Sequence, residues 1–220
     1  PSSIPSSQRA PGSLQSNSNL TGTTSAVKLT RCNISGDAAA VGDVSLDSAS
    51  VVGGEVRSRG AAQSVPNIDI AQLITNVQGI QNTVLLSGSI GSTSVDWFSG
   101  SNGPLTINGD LTLNNGVLWV RGDLVVTGGI KGYGMVLTTG SVEVLKGSSL
   151  NAQNMVAVAA QGDVTLQAPD RSSYFYQGLV YTNGNFSARQ LTVLGTVVAN
   201  SPDPAKGGLR LQDVNLVSQQ

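Results

Sequence analysis

Four aspartates recur in one short phrase, in which a glycine precedes the aspartate and an alternating apolar run follows it. They are Asp43, Asp110, Asp123 and Asp163. Stacked carboxylates could bind calcium or act as acid and base on a polysaccharide. Aspartate after glycine is also an ordinary turn residue, whose side chain accepts hydrogen bonds from nearby backbone N–H groups. We favour the turn interpretation, because polysaccharide-cleaving β-helices usually cluster acids with His, Lys or Arg, and this chain has no histidine and no Asp-Asp pair.

The composition excludes several kinds of chemistry. Without histidine the chain cannot build a Ser-His-Asp triad, a Cys-His pair or a histidine-based metal site. The one cysteine, Cys32, is expected to be a small buried thiol, although an intermolecular disulfide stays open. A formal net charge of −1 with no basic run offers nothing to attract nucleic acid. We therefore predict no catalytic residue, no metal and no cofactor, and we predict that the chain is not an enzyme.

The glycine phrase repeats at spacings that indicate a stack of similar units. Successive glycines are 18, 22 and 22 residues apart from Gly122 to Gly184, close to the roughly twenty residues of a β-solenoid turn. The shorter gap of 13 residues between Gly109 and Gly122 is interpreted as a strand and a corner inside one turn. Alternation predicts which side chains point inward. These are Leu111, Leu113, Leu118, Val120, Leu124, Val126, Val142, Val144, Val164, Leu166, Phe186, Leu191 and Val193.

Three segments depart from the repeat. Residues 1–19 are rich in Pro, Ser, Gln and Asn, which predicts a disordered tail or an extended arm that pairs with a neighbouring subunit. Residues 69–78 have apolar side chains at helical spacing, which predicts one short inserted helix that packs on the solenoid wall or covers an end. Residues 201–220 are interpreted as a last strand that covers an end of the stack.

Two stretches, GPLTINGDLTLNNGVLWVRGDLVVTGG and YQGLVYTNGNFSARQLTVLGTVVAN, resemble the β-solenoid domain of bacterial type IV pilus assembly-associated proteins of the PilX-like kind. The block CNISGDAAAVGDVSLDSASVVGGEVRSRG resembles the upstream turns of such proteins and, more distantly, the bactofilins, which are polymer-forming β-helical scaffolds. The resemblance implies a structural or adhesive β-helix at the bacterial cell envelope. One departure is that pilin-type relatives begin with a long apolar helix, whereas this chain begins at Pro1.

Together these observations predict a single right-handed parallel β-helix, or β-solenoid, over residues 20–220, with eight to ten turns, one short inserted helix and an N-terminal arm at 1–19. We expect a structural subunit of a bacterial extracellular or cell-surface filament that associates head to tail through the solenoid ends and the arm, or assembles with pilus components. An adhesin that binds a glycan or a protein is the alternative, and a polysaccharide-active enzyme is a weaker one. No stretch is apolar enough to span a membrane as a helix.

Candidate contact residues come from aromatic clusters, from the arm and from the tail. Aromatic rings beside polar groups can form a platform for sugars or proteins. The Arg121-Gly122-Asp123 tripeptide spells an adhesion motif, but its last two residues already belong to the repeat. The predicted partner-contact residues are Ile4, Leu14, Trp97, Phe98, Tyr174, Phe175, Tyr176, Leu209 and Leu211.

Overall fold

A computed structural model describes residues 9–10, 12–64, 67–80 and 83–219. These ranges form an all-β parallel solenoid with one α-helix, as the repeat predicts. The strands before the helix are β1 (Arg9–Ala10), β2 (Leu14–Ser16), β3 (Val27–Thr30), β4 (Asn33–Ile34), β5 (Ala38–Ala40), β6 (Val44–Leu46), β7 (Val51–Val52) and β8 (Val56–Arg57). The helix is α1 (Ile70–Gln78), and a 3₁₀ turn spans Gly22–Thr24.

The strands after the helix are longer, because several of them turn a corner without interruption. They are β9 (Val84–Leu85), β10 (Gly88–Val95), β11 (Phe98–Ser101), β12 (Leu105–Val120), β13 (Leu124–Val126), β14 (Ile130–Thr138), β15 (Val142–Val144), β16 (Ser149–Ala160), β17 (Val164–Gln167), β18 (Phe175–Thr182), β19 (Phe186–Arg189), β20 (Thr192–Ala199), β21 (Leu209–Gln212) and β22 (Asn215–Gln219).

Each turn of the solenoid contributes one strand segment to each of three parallel sheets, which we call faces A, B and C. Face A stacks β13, β15, β17, β19, β21, β3 and β6 in that order. Face B stacks the first halves of β14, β16, β18 and β20 on β22, β4 and β7. Face C stacks the second halves of the same four strands on β2, β5 and β8. The strand β12 covers all three faces. Gly109 lies at the corner between faces A and B, and Gly122 lies at the corner that follows face C, so both belong to one turn, as their short spacing predicts.

The order of the turns in space differs from their order in the chain. The C-terminal strand β21 pairs with β3, and β22 pairs with β4, so the N-terminal turns stack onto the C-terminal end of the solenoid. One turn is composite, because β21 and β22 supply faces A and B while β2 supplies face C between β20 and β5. In the described residues this makes nine complete turns, with β9 as part of a tenth.

Two sequence predictions about the chain ends are therefore wrong. Residues 12–19 do not form a separate arm, because β2 is an internal strand and Leu14 is 1% exposed. The segment after Ser201 does not cover an end, because β21 and β22 lie inside the stack with a neighbour on both sides. The strand β1 pairs antiparallel with β22 of the same chain, and residues 1–8 lie outside the described residues.

The core is a set of inward columns that run along the axis. All thirteen side chains predicted to point inward are buried, none more than 1% exposed. Since each inward residue stacks on its equivalents in the adjacent turns, apolar area is removed from water continuously along the axis, while the parallel ladders satisfy the backbone. Some corners carry a buried hydroxyl instead, such as Thr182, whose Oγ1 donates to the Gly162 carbonyl and accepts from the Gly184 N–H at 2.9 Å.

The helix α1 covers face C. Its N-terminus is capped by Asp69, whose carboxylate accepts a hydrogen bond from the Gln72 N–H at 2.9 Å. Ile70 and Ile74, both 0% exposed, pack against outward-facing side chains of the sheet, and these are Val117, Trp119, Leu137, Ala159 and Tyr181. The predicted helix at residues 69–78 is confirmed, and of the two packings left open by the sequence the helix adopts the one on the wall. Trp119 faces outward from its strand, and the helix buries it.

Candidate interaction surfaces

The repeated aspartates are corner residues, and their side chains link one turn to the next. Asp123 accepts a hydrogen bond from the Ser141 N–H at 2.7 Å, and the Ser141 hydroxyl accepts one from the Asp163 N–H at 3.1 Å. Asp163 in turn accepts one from the Asn185 N–H at 2.8 Å. The turn interpretation is therefore correct, with one refinement: these carboxylates satisfy N–H groups of the next turn, 18 and 22 residues away.

Two of these carboxylates, Asp43 and Asp110, are poorly suited to act as general acids. A hydrogen bond from the Gly22 N–H lowers the pKa of Asp43, and a hydrogen bond from the Lys131 ammonium lowers the pKa of Asp110. A general acid needs a raised pKa, so these two groups stay ionised at neutral pH and would not donate a proton. The part of the chain that the structure describes holds no group of three or more Cys, Asp or Glu side chains placed to bind a metal ion.

Two further sequence features have structural roles. Arg121 donates a hydrogen bond to Gln78 of α1 at 2.6 Å, and Gly122 adopts a φ of +137°, so the adhesion-like tripeptide is part of a corner that holds the helix. Cys32 is 1% exposed, and burial raises the pKa of its thiol. The prediction of a buried thiol is confirmed.

The structure separates the predicted contact residues into core and surface. Leu14, Tyr176, Leu209 and Leu211 are each 3% exposed or less, so their prediction as surface contacts is wrong. The alternation pattern did not indicate that Tyr176 is buried. Its hydroxyl donates a hydrogen bond to the buried Ser148 hydroxyl at 2.7 Å. Ile4 lies outside the described residues.

The surface members of the set are Trp97, Phe98, Tyr174 and Phe175. Trp97 is 70% exposed, and the other three are half-buried. Tyr174 lines a groove of about 560 Å³ at the corner between faces A and B, together with Lys131, Lys146 and Gln167. Its ring packs closely against Gly147. Any side chain at position 147 would clash with it, since a Cβ there would lie 2.2 Å from Cδ1 of the Tyr174 ring.

The first end of the stack, which we call the Leu46 end, consists of β6, β7 and β8. Each of these strands has a ladder partner on one side only among the described residues. Leu46 and Val56 belong to inward columns whose next members, Leu29 and Ala38, are 1% and 0% exposed. Leu46 and Val56 are themselves 42% and 45% exposed, so the described residues leave this end of the core uncovered.

The opposite end, which we call the Val84 end, consists of β9, β10 and β11 with Trp97. Val84 pairs with Ser99, which is 6% exposed, yet Val84 itself is 59% exposed and Leu85 is 63% exposed. Residues 80–108 contain a single charged residue, Asp96. This end is therefore apolar and nearly uncharged.

A surface that the sequence did not predict lies on face A, where Lys28, Arg189 and Arg210 line a groove of about 320 Å³. These three cations come from both ends of the chain. No local run of basic residues marks them, so the composition predicted no basic patch.

Comparisons with known proteins identify no family for this chain. No family model matches it, and no curated protein matches it, so nothing supports the resemblance to PilX-like proteins or to bactofilins beyond the shared β-solenoid architecture. One similar solved structure is described as an ice binding protein from an Antarctic Biological Consortium. The match has 14% identity, covers 94% of this chain and 86% of that chain, and has a TM-score of 0.42. Among the described residues, no helix has the length and apolar character needed to cross a membrane. In its described residues the chain is thus a parallel β-solenoid with one face covered by a helix, two open faces and two uncovered ends.

Proposed function

We propose that this chain is a non-enzymatic structural subunit that associates head to tail through its Leu46 end and its Val84 end, at a bacterial surface or outside the cell. The observation that carries this proposal is the exposure of core-column side chains at both ends. Leu46, Val56 and Val84 occupy positions that are buried in neighbouring strands, and they are 42% to 59% exposed because no turn of the described residues stacks on them.

A second copy of the chain is the partner that fits these ends best. Every internal turn buries its columns against a parallel turn with the same three faces, and the two ends present the two sides of such a turn. Unpaired edge strands pair readily with strands of another chain. Because the two ends differ, the contact is heterologous, and a heterologous contact that does not close into a ring grows into a fibre.

Single substitutions at the two ends test this proposal. Leu46→Lys places a charge on one end and Val84→Lys places one on the other, and both side chains are already exposed, so the fold should persist. We expect wild-type protein to form rods that lengthen with concentration, by light scattering after size exclusion and by negative-stain microscopy. Each variant alone should be monomeric, whereas an equimolar mixture should form dimers, because each variant keeps one intact end.

A matched control is Tyr133→Lys, which changes a side chain that is 47% exposed on face B of an internal turn. This variant should assemble like the wild type. A wild type that stays monomeric at all concentrations would refute the proposal. Dimers formed by Leu46→Lys alone would also refute the head-to-tail contact, because they would mean that two identical ends meet.

A glycan-binding role for the Tyr174 groove is a second candidate. The groove combines an aromatic ring with Lys131, Lys146 and Gln167, which is a combination that stacks on a sugar ring and hydrogen-bonds its hydroxyls. Tyr174→Ala should abolish binding on a glycan array while Tyr133→Ala preserves it. If the protein is monomeric throughout and binding depends on Tyr174, the glycan-binding role replaces the filament role.

A further inference from the structure

The groove on face A is built across the junction between the C-terminal and N-terminal turns. Its floor consists of β17, β19, β21 and β3, which run parallel and in register. Ser187 pairs with Arg210, and Arg210 pairs with Lys28, so these three outward side chains form one column. Arg189 lies in the adjacent outward column, next to Gln212. Small side chains at Thr165 and Ser187 leave the depression between the longer ones.

The groove has positive charge and no carboxylate among its lining residues. Lys28 and Arg189 are exposed, and neither forms an ion pair with any described residue. Asp213, which follows the lining residue Gln212 in the chain, is engaged by Arg31, although Arg189 also contributes to lowering the pKa of Asp213. The cations are therefore available to a ligand.

Arg210 is held in place on the groove wall. Its Nη1 donates to the Ser25 carbonyl at 2.6 Å, and its Nη2 donates to the Thr24 carbonyl. A guanidinium has five N–H donors, so donors remain for a ligand. Burial lowers the pKa of Arg210 from its ordinary value, which reflects a partly desolvated charge that still lacks an anionic partner. A fixed, partly desolvated guanidinium binds a carboxylate or sulfate more strongly than a freely moving surface cation does.

Acidic side chains limit the groove along the solenoid axis. Glu143 is the register partner of Thr165 on one side, and Asp47 lies one turn beyond Thr30 on the other. The acid-free stretch therefore spans four strands, or about 14 Å at the usual strand spacing. Hydroxyl and amide side chains line the rest, including Thr165, Ser187 and Gln212. No aromatic side chain lines the groove, so a base of single-stranded nucleic acid would find no ring on which to stack.

We infer that this groove binds a short stretch of an acidic polysaccharide, with the carboxylate or sulfate groups held by Lys28, Arg189 and Arg210 and the sugar hydroxyls held by the neutral polar side chains. The polymer runs along the solenoid axis across the junction between the two ends of the chain. This site is separate from the ends that would join two copies, so it does not depend on self-association.

Binding is measured by isothermal titration calorimetry with polygalacturonate, dextran sulfate, neutral dextran and single-stranded DNA. We expect binding to one or both acidic polysaccharides, and the comparison of the two identifies carboxylate or sulfate as the preferred group. Affinity should fall steeply when salt is raised from about 50 to 300 mM, because exposed charge pairs are screened. Neutral dextran and DNA should bind weakly or not at all.

Substitutions locate the site. Lys28→Gln and Arg189→Gln should each raise the dissociation constant by about fivefold, as expected for the loss of an exposed charge contact. Ser187→Glu puts a carboxylate on the groove floor and should abolish binding while thermal unfolding stays close to that of the wild type. Arg57→Gln makes the same change of net charge as Lys28→Gln but on face C of the last turn, and should leave binding unchanged.

Three results would overturn the inference. One is equal binding of neutral dextran and the acidic polymers, and another is equal loss of binding in Arg57→Gln and Arg189→Gln. The third is tighter binding of DNA than of either acidic polysaccharide, which would identify a different class of partner.

Discussion

Face C and face A are built by the same parallel ladder, yet one is covered and the other is open. On face C the outward column contains Trp119, Leu137 and Tyr181, and α1 buries all three. On face A the outward positions carry Thr165, Ser187 and charged side chains, and nothing in the described residues covers them. The backbone is equivalent in both faces, so the outward side chains alone decide whether a face packs against the chain's own helix or stays available to a partner.

Removing apolar contact under the helix should have the largest effect on stability. Ile74→Ala deletes a 0% exposed side chain between α1 and face C, and we expect a loss of about 3 kcal/mol in the free energy of unfolding. Urea denaturation followed by circular dichroism measures this change. The neighbouring Leu73 is 39% exposed, and Leu73→Ala should cost less than about 1 kcal/mol. Equal losses in the two variants would mean that the helix is not anchored by its buried side.

The same substitution on the two faces should have unequal effects. Thr182→Val at the face C corner leaves the Gly162 carbonyl and the Gly184 N–H without their buried partner, which should cost about 1–3 kcal/mol. Thr165→Val on face A removes the hydroxyl of a half-buried side chain that points outward, and should change stability by less than about 0.5 kcal/mol. Comparable values from the same denaturation experiment would contradict the distinction between a buried corner and an open face.

The smallest effect should come from a charge pair at the edge of face A, and it should depend on pH. A hydrogen bond from Arg31 lowers the pKa of Asp213, so this pair stabilises the fold at pH values above the ordinary carboxyl pKa of about 4. The stabilisation is lost as the pH falls through the lowered pKa. The stability difference between the wild type and Asp213→Asn should therefore shrink from pH 7 towards pH 2, by thermal unfolding at several pH values.

Two features make this a clean comparison. Asp213 has a φ of +54°, and asparagine adopts this left-handed backbone readily, so the substitution changes the charge without straining the corner. Ile74→Ala removes no titratable group, and its effect should be the same at every pH in the series. A pH-independent effect of Asp213→Asn would show that the charge pair contributes nothing.

Local patterns predicted the elements of this protein well. The helix at Ile70–Gln78 follows from an N-cap and an apolar spacing, and the inward columns follow from alternation, because both depend on near neighbours in the chain. Some corners gave no local signal. Arg31, Arg59 and Gln190 adopt a positive φ without being Gly, Asn or Asp, so no residue type marked these turns.

The sequence by itself determined the repeating unit: a glycine corner, an acceptor side chain at that corner, and a short strand with an apolar inner side. Only the tertiary structure decided the order in which the turns stack. Parallel ladders form through backbone groups that every residue carries, so nothing local specifies that β21 should pair with β3 across the length of the chain. The pairing of β2 with β20 and β5 buried Leu14, and the pairing of β21 with β3 brought Lys28 beside Arg210. The protein thus gained a core residue and a basic groove that no segment encodes alone.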